Sequence, residues 1–373
     1  MTHPNPGEPA PWFYAPSPTN PSFNFSSVAG RYVLLIFTPS DPEQRETAFV
    51  ALQRHIALFG DYTIAAFIVL RDPGLFAQAR NRPGIRFFLD ADGEVGRLYG
   101  AVTPDGAESP RWVAIDPSMR ILFNLPMAQT EQAFQQLRAL PSVEDHAGTP
   151  LHAPVMITPR VFDPDLCRRL IAYYEAQGGV PSGVMRQVDG KTVGVLDDFK
   201  SRSDATIEDD ALRAETRECI KRRLLPEILK AFRFRVTRVE RYIVARYAAD
   251  EGGYFRPHRD NRTSGTAHRQ FACSINLNAE DFDGGDLRFP EYGMRTYRPP
   301  TGGAVVFSCS LLHEATPVTR GVRYAFLPFF HDEAGEALRA ANLHLLAGSS
   351  AALAAEAAAE AARNPGESAL NPG

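Results

Sequence analysis

Two histidines and an aspartate, too far apart for one strand to gather, constrain this chain more than any other feature. His258 and Asp260 are two residues apart, and His313 follows about fifty-five residues later. In extended backbone, residues i and i+2 point to the same side. His258 and Asp260 can therefore reach one point while Arg259 turns away, and His313 must come from a different strand. Gly302-Gly303-Ala304-Val305-Val306-Phe307-Ser308 reads as a tight turn feeding a buried strand, with His313 just past its end. The run from Gly321 to Phe330 reads as another strand, with Arg323, Ala325, Leu327 and Phe329 on one face. A charged Arg323 on that mainly apolar face needs a partner.

Two imidazoles and one carboxylate make the set that holds Fe(II) and leaves coordination positions open. A buried arginine beyond the second histidine offers a fork for the far carboxylate of 2-oxoglutarate. Each piece alone has an ordinary reading. The chain holds nine histidines, so a His-x-Asp pair can be a surface turn, His313 a loop histidine and Arg323 half of a structural ion pair. Their order, spacing and strand context together favour the metal. Arg320 is the weaker candidate for the carboxylate anchor. His268 and His331 lack partners at ligand spacing and read as surface or core-edge residues. Asp281, Asp283 and Asp286 do not follow the calcium-loop pattern and read as a solvated turn.

The segment Arg246-Tyr247-Ala248-Ala249-Asp250-Glu251-Gly252-Gly253-Tyr254-Phe255-Arg256-Pro257-His258-Arg259-Asp260-Asn261 resembles the core of prolyl 4-hydroxylase-type 2-oxoglutarate/Fe(II) dioxygenases. Phe282-Asp283-Gly284-Gly285-Asp286-Leu287 resembles that family's Gly-Gly-x-Leu turn, and His313 through Pro317-Val318, Gly321 and Arg323 its second ligand segment. The resemblance covers roughly residues 153 to 332. It implies a double-stranded β-helix (jelly-roll) α+β domain with His258, Asp260 and His313 on iron. Arg323 would bind the 2-oxoglutarate carboxylate, and Tyr247, which also reads as a packed strand-end aromatic, would help hold the co-substrate. Asn276 stands where some relatives carry a tyrosine that binds the co-substrate. The implied activity is hydroxylation of a C–H bond with release of succinate and CO2, O2 as oxidant and ascorbate as reductant. No catalytic residue beyond the metal ligands is implied. A prolyl residue in a protein or peptide is the substrate by analogy; a small molecule or a free amino acid would use the same centre.

Upstream, strands and helices alternate, which implies an α/β layer fold. Tyr32–Phe37 and Thr63–Leu70 read as buried strands, Asp41-Pro42 as a helix start, Arg111–Asp116 with Arg120–Phe123 as a hairpin, and Thr130 as the start of a helix burying Phe134, Leu137 and Leu140. Gly7-Glu8-Pro9-Ala10-Pro11-Trp12-Phe13, Phe37-Thr38-Pro39, Leu89-Asp90-Ala91-Asp92-Gly93 and Leu98-Tyr99-Gly100 resemble landmarks of the peroxiredoxin branch of the thioredoxin fold. That family's threonine and peroxidatic cysteine fall at Glu43 and Glu46, and no cysteine precedes Cys167. Without a thiolate there is no nucleophile for peroxide. Arg111 reads either as a remnant of the arginine that polarises peroxide or as an ordinary strand-start residue. The expected organisation is a redox-inactive thioredoxin/peroxiredoxin-like domain over residues 1–145, a linker over 146–153, the dioxygenase domain over 154–334 and an Ala-rich tail over 335–373. Within this scheme residues 1–28 are an extended lead-in, residues 209–232 a long helix broken near Pro226, and residues 350–363 a helix. A non-catalytic adaptor built on the degenerate first domain is the other class of reading.

A chain of 373 residues has room for two domains, and its net charge of -4 gives no electrostatic footprint for nucleic acid. Four cysteines with no C-x-x-C pattern read as buried thiols of a cytoplasmic protein. The first residues lack the features of a signal peptide, and no apolar run approaches a membrane span.

Overall fold

The computed structural model describes residues 3–188 and 190–346. The chain divides into two compact units, Met1–Ala153 with Phe289–Arg295, and Pro154–Arg288 with Thr296–Gly373.

The first unit is built on β1 (Tyr32–Phe37), α1 (Pro42–Arg54), β2 (Ile64–Leu70), α2 (Pro73–Gln78), β3 (Ile85–Leu89), α3 (Glu94–Tyr99), β4 (Arg111–Ile115), β5 (Ile121–Pro126) and α4 (Thr130–Arg138). The sheet order is β3-β2-β1-β4-β5; β1, β2 and β3 run parallel, while β4 and β5 join antiparallel. Every side chain of β1 and β2 is buried, as continuous apolar runs covered on both faces should be. The Asp41 side chain accepts from the Gln44 N–H at 2.8 Å and caps α1. Phe134 and Leu137 of α4 are buried against the sheet, with Leu140 partly covered. The first residues are not the extended lead-in their composition suggests. Tyr14–Ser17 and Asn20–Asn24 pair antiparallel, and a single turn follows over Phe25–Val28. Aromatic packing explains the difference: Phe13 and Phe25 stack at 4.5 Å, and both meet Phe88 edge-on. Burying three such rings outweighs the weak local preference of a Pro- and Ser-rich segment.

The second unit holds α5 (Pro164–Gln177), a hairpin of β6 (Val184–Val188) and β7 (Lys191–Val195), β8 (Lys200–Ser201), β9 (Ser203–Thr206), α6 (Asp210–Arg223) and α7 (Leu225–Phe232). It continues with β10 (Arg238–Glu240), β11 (Ile243–Ala248), β12 (Tyr254–His258), β13 (Phe271–Asn276), β14 (Leu287–Arg288), β15 (Ala304–Ser308), β16 (His313–Ala315), β17 (Val322–Phe326), β18 (Phe329–His331) and α8 (Glu333–Asn342). A major sheet runs β10-β18-β13-β17-β11-β9 with β15 beside β13, and a minor sheet runs β8-β12-β16-β14. Ala245 and Tyr247 of the major sheet pack with Ala315 of the minor sheet and with Phe282 and Val318. The opposite face of the major sheet, through Val244, Ile275, Val306 and Phe326, buries Leu166 and Leu170 of α5 and Ile220 and Ile228 of α6 and α7. Two antiparallel sheets closing on one core, with helices outside, is the expected double-stranded β-helix arrangement.

Three expectations change in detail. The helix expected over 209–232 is two helices, α6 and α7, meeting at Leu224 just before Pro226. The run from Gly321 to Phe330 is two strands, because Leu327-Pro328 interrupts the ladder and sends Phe329 to pair with β10. The helix α8 crosses residue 334 and continues to Asn342. The helix expected over 350–363 lies outside the described residues.

Candidate metal centre

β12 and β16 pair antiparallel with His258 opposite His313. Asp260 lies just beyond the end of β12, where its N–H donates to the Cys309 carbonyl at 3.0 Å. One donor atom from each of His258, Asp260 and His313 lies within 4.8 Å of the other two. His258 Nε2 is 3.5 Å from one Asp260 oxygen and His313 Nε2 is 3.3 Å from the other. The two rings are 4.3 Å apart, with Phe255 stacked on His258 at 3.4 Å and Phe307 edge-on to His313 at 4.6 Å.

The tautomers follow from the backbone. His258 Nδ1 is 2.8 Å from the Arg256 carbonyl and His313 Nδ1 is 3.1 Å from the Leu311 carbonyl. A carbonyl only accepts, so Nδ1 carries a proton in each ring, and Nε2, on the Asp260 side, is the nitrogen left for a metal. Burial and the neighbouring His313 lower the His258 pKa to about 4, against the pull of Asp260. Burial works to raise the Asp260 carboxyl, but the two imidazoles hold it well below the usual range. A neutral imidazole and an ionised carboxylate are the forms that bind a metal. The outer N–H of each ring is tied down, as metal-ligating histidines require. The donor set therefore fits a divalent iron.

Arg323 sits on β17 opposite Tyr247 on β11. Its side chain is buried, 5.1 Å above the Tyr247 ring; Nη2 donates to Ser274 Oγ at 2.8 Å and Nε to Asn276 Oδ1 at 3.3 Å. Among the described residues no carboxylate pairs with it, and burial pushes its pKa below the ordinary value. Gly285 makes room beside it: a Cβ there would meet Val318 at 2.8 Å and Arg323 Cδ at 3.1 Å, on a backbone of φ +66°. Asn276 holds Arg323 and donates to the Pro299 carbonyl at 3.0 Å. Arg320 is exposed and paired with Asp283 at 2.6 Å.

In the first unit, Glu43 and Glu46 are exposed on α1. Arg111 donates to the Gly100 carbonyl at 3.0 Å and to Asn124 Oδ1 at 2.9 Å, so it serves its own strand neighbours.

Two groups escaped the sequence reading. His268 and His331 are not surface residues: they are 3% and 1% exposed. His268 meets Glu240 at 2.7 Å, His331 meets Glu336 at 2.9 Å, and Arg269 also pairs with Glu240 at 2.7 Å. Glu240 lies on β10, which the β10–β18 pairing brings into the same sheet, whereas Glu336 lies on α8 a few residues after His331. The second group is Lys200, Arg202 and Asp204, alternating with Ser201 and Ser203 along β8 and β9. That alternation was a signal: charges at every second position of a strand share a face. Arg202 lies 5.7 Å from the Tyr247 ring, on which Arg323 also rests, and Lys200 Nζ lies 4.9 Å from the Phe255 ring.

Comparison with known proteins bears on this same region. Residues 242–331 match the family model of the 2OG-Fe(II) oxygenase superfamily. A PKHD-type hydroxylase of Paracoccus denitrificans (strain Pd 1222) is 39% identical over 84 residues, 20% of this chain and 37% of the relative. A PKHD-type hydroxylase of Synechococcus sp. (strain JA-2-3B'a(2-13)) is 45% identical over 47 residues, 12% of this chain and 21% of the relative. The chain thus spans between about a fifth and a little over a third of these relatives' lengths. Among solved structures, a Pseudomonas putida prolyl-4-hydroxylase aligns at 20% identity over 52% of this chain and 98% of that one, with a TM-score of 0.35, too slight a likeness to weigh.

Proposed function

We propose that this chain is a 2-oxoglutarate- and Fe(II)-dependent dioxygenase that hydroxylates a C–H bond, releasing succinate and CO2. The observation that carries the reading is the pair of imidazole Nε2 atoms facing one carboxylate, each ring locked by a backbone carbonyl at Nδ1. His258, Asp260 and His313 would hold the iron. When bound, the metal and its co-substrate supply O2 activation and the oxidative decarboxylation that hydroxylation needs. The chain's own work is to place groups. Arg323 anchors the far carboxylate of 2-oxoglutarate through its guanidinium, with Ser274 and Asn276 fixing its Nη2 and Nε edges. The Tyr247 ring lies under that guanidinium, 5.1 Å from its centre. Phe255 and Phe307 pack against the two imidazoles. Ascorbate is the reductant we expect to maintain the iron, and the cytoplasm the compartment.

The first unit is read as a thioredoxin-like domain of the peroxiredoxin type, now without its nucleophile. Support comes from the β3-β2-β1-β4-β5 order with its antiparallel pair, and from the lack of any cysteine before Cys167. Its role in this reading is a scaffold or docking surface.

The test is direct. Purified protein should bind one Fe(II) per chain, and anaerobic 2-oxoglutarate should then give the weak visible charge-transfer band of the iron chelate. Asp260→Ala should lose most of the iron. Unchanged iron affinity in both His258→Ala and His313→Ala would overturn the assignment. Iron binding without succinate release, with prolyl peptides and free acids both tried, would favour an adaptor.

A further inference from the structure

β8 and β9 place Lys200, Arg202 and Asp204 on one side, and that side lies beside the reaction centre. Lys200 pairs with Phe255 in the β8–β12 ladder, and Phe255 is the ring stacked on His258. Arg202 donates to the Tyr247 hydroxyl at 3.3 Å, so it stands next to the proposed co-substrate anchor. Its side chain is only 5% exposed.

The charges in this wall do not balance. Arg202 Nη2 bonds Asp204 Oδ2 at 2.6 Å, and Arg241 Nη2 reaches the same oxygen at 3.4 Å. Among the described residues Lys200 Nζ has no carboxylate partner; it donates to Ser182 Oγ at 2.6 Å and to the Gly183 carbonyl at 3.0 Å. Three cations therefore share Asp204. Among the described residues Arg202 Nε is buried without a hydrogen-bond partner. The nearby Asp260 is committed to the metal in the reading above. Burying cations without counter-charge is costly. The cost shows at Lys200, where burial and Arg202 lower the pKa to about 6 despite Asp204. Burial opposes ionisation of Asp204, but Arg202, Arg241 and Lys200 pull its pKa down to about 2. Lys200 is half-buried, and an anion arriving from solvent would restore its charge.

We infer that Lys200 and Arg202 form an anion subsite beside the iron centre, and that the molecule hydroxylated carries a carboxylate seated there. The inference rests on the oxygenase reading and narrows it to acidic substrates. The carboxylate can belong to a free acid, such as an amino acid, or to an acidic residue of a peptide.

Benzoate and benzamide are matched probes: they share a shape and differ in charge. Their binding to the full, iron-loaded chain is to be measured by calorimetry without O2, with 2-oxoglutarate saturating so that Arg323 is occupied. Benzoate should bind at least tenfold more tightly than benzamide. Lys200→Met and Arg202→Met should each remove most of that preference, while Lys200→Arg, which keeps the charge, should retain it. Equal binding of the two probes to wild type overturns the inference. So does benzoate that simply displaces 2-oxoglutarate, because the anion served is then the co-substrate. If the protein binds neither iron nor 2-oxoglutarate, the oxygenase reading fails, and the probe pair still reports on the subsite in the metal-free chain. Succinate release separates the two sources of carboxylate. Stimulation by free acids or by acidic peptides over their amides supports the inference, and stimulation by neutral peptides alone overturns it.

Discussion

At the scale of single residues, Arg323 and Gly285 make the sharpest predictions. Arg323 is buried with a hydroxyl and an amide for company and no carboxylate among the described residues. Truncating one side of a buried, hydrogen-bonded charge pair typically costs about 2–5 kcal/mol. Arg323→Ala should therefore raise the KM for 2-oxoglutarate by roughly thirty-fold or more at about 1.4 kcal/mol per tenfold. Iron affinity should hardly change, because Arg323 is not among the three converging donors. Arg323→Lys should keep part of the affinity, since the charge survives and the planar fork is lost. If Arg323→Ala matches wild type while Arg320→Ala fails, the anchor is Arg320. Gly285→Ala should imitate the anchor defect without touching a polar group. Its Cβ would press on Arg323 Cδ at 3.1 Å and on Val318 at 2.8 Å, in a left-handed conformation that disfavours side chains. A higher KM for 2-oxoglutarate together with a lower melting temperature is the expected result, and an unaltered KM would detach the Gly-Gly turn from the co-substrate site.

At the scale of elements, strand pairing does what no local pattern can. The β12–β16 ladder sets His258 against His313, and the β10–β18 and β13–β18 ladders together bring Glu240 to His268 and Arg269, just before β13. Glu240 is the hub of the second network. Burial works to raise its carboxyl pKa, but Arg269 and His268 hold it well below the ordinary 4.5. A depressed folded pKa contributes stability above the unfolded value, and that contribution is lost as pH falls below it. The chain should therefore lose stability progressively below about pH 4.5 as Glu240, like Asp204, resists protonation only while folded. Glu240→Gln leaves Arg269 buried without its counter-charge, a loss of about 3–5 kcal/mol when a buried pair is broken. Its urea midpoint at pH 7 should fall well below wild type, and the difference between the two proteins should shrink toward pH 3. A constant difference across that range would show that the carboxylate's charge is not what stabilises the junction.

At the scale of the whole molecule, the first unit holds no cysteine, and the thiol chemistry of the chain rests on four cysteines of the second. Cys167, Cys219, Cys273 and Cys309 are free and buried. Burial raises all four thiol pKa values, Cys167 to about 12. A thiolate is the reactive form, so the folded chain should resist alkylation at neutral pH and react at four sites once unfolded in urea. For the same reason it should not turn over hydrogen peroxide with any thiol donor. Rapid labelling of the folded protein, or thiol-dependent peroxidase turnover, would contradict this account.

What the sequence determined by itself was local in origin. Spacing and residue type marked His258, Asp260, His313 and Arg323, and runs of apolar residues marked β1, β2, β15 and β17. A capping aspartate marked the start of α1, where Asp41 accepts from the Gln44 N–H. These signals need only a few neighbouring residues, because dihedral preference, side-chain period and capping act over short stretches of chain. Tertiary structure alone decided that His268 and His331 are interior, that Phe13 and Phe25 draw the opening segment into a hairpin, and that Lys200 and Arg202 face inward beside Phe255. In each of these cases the deciding partner lies on a distant element. Burial and charge pairing are properties of the assembled sheets, and a periodic pattern names a face without saying what it will face.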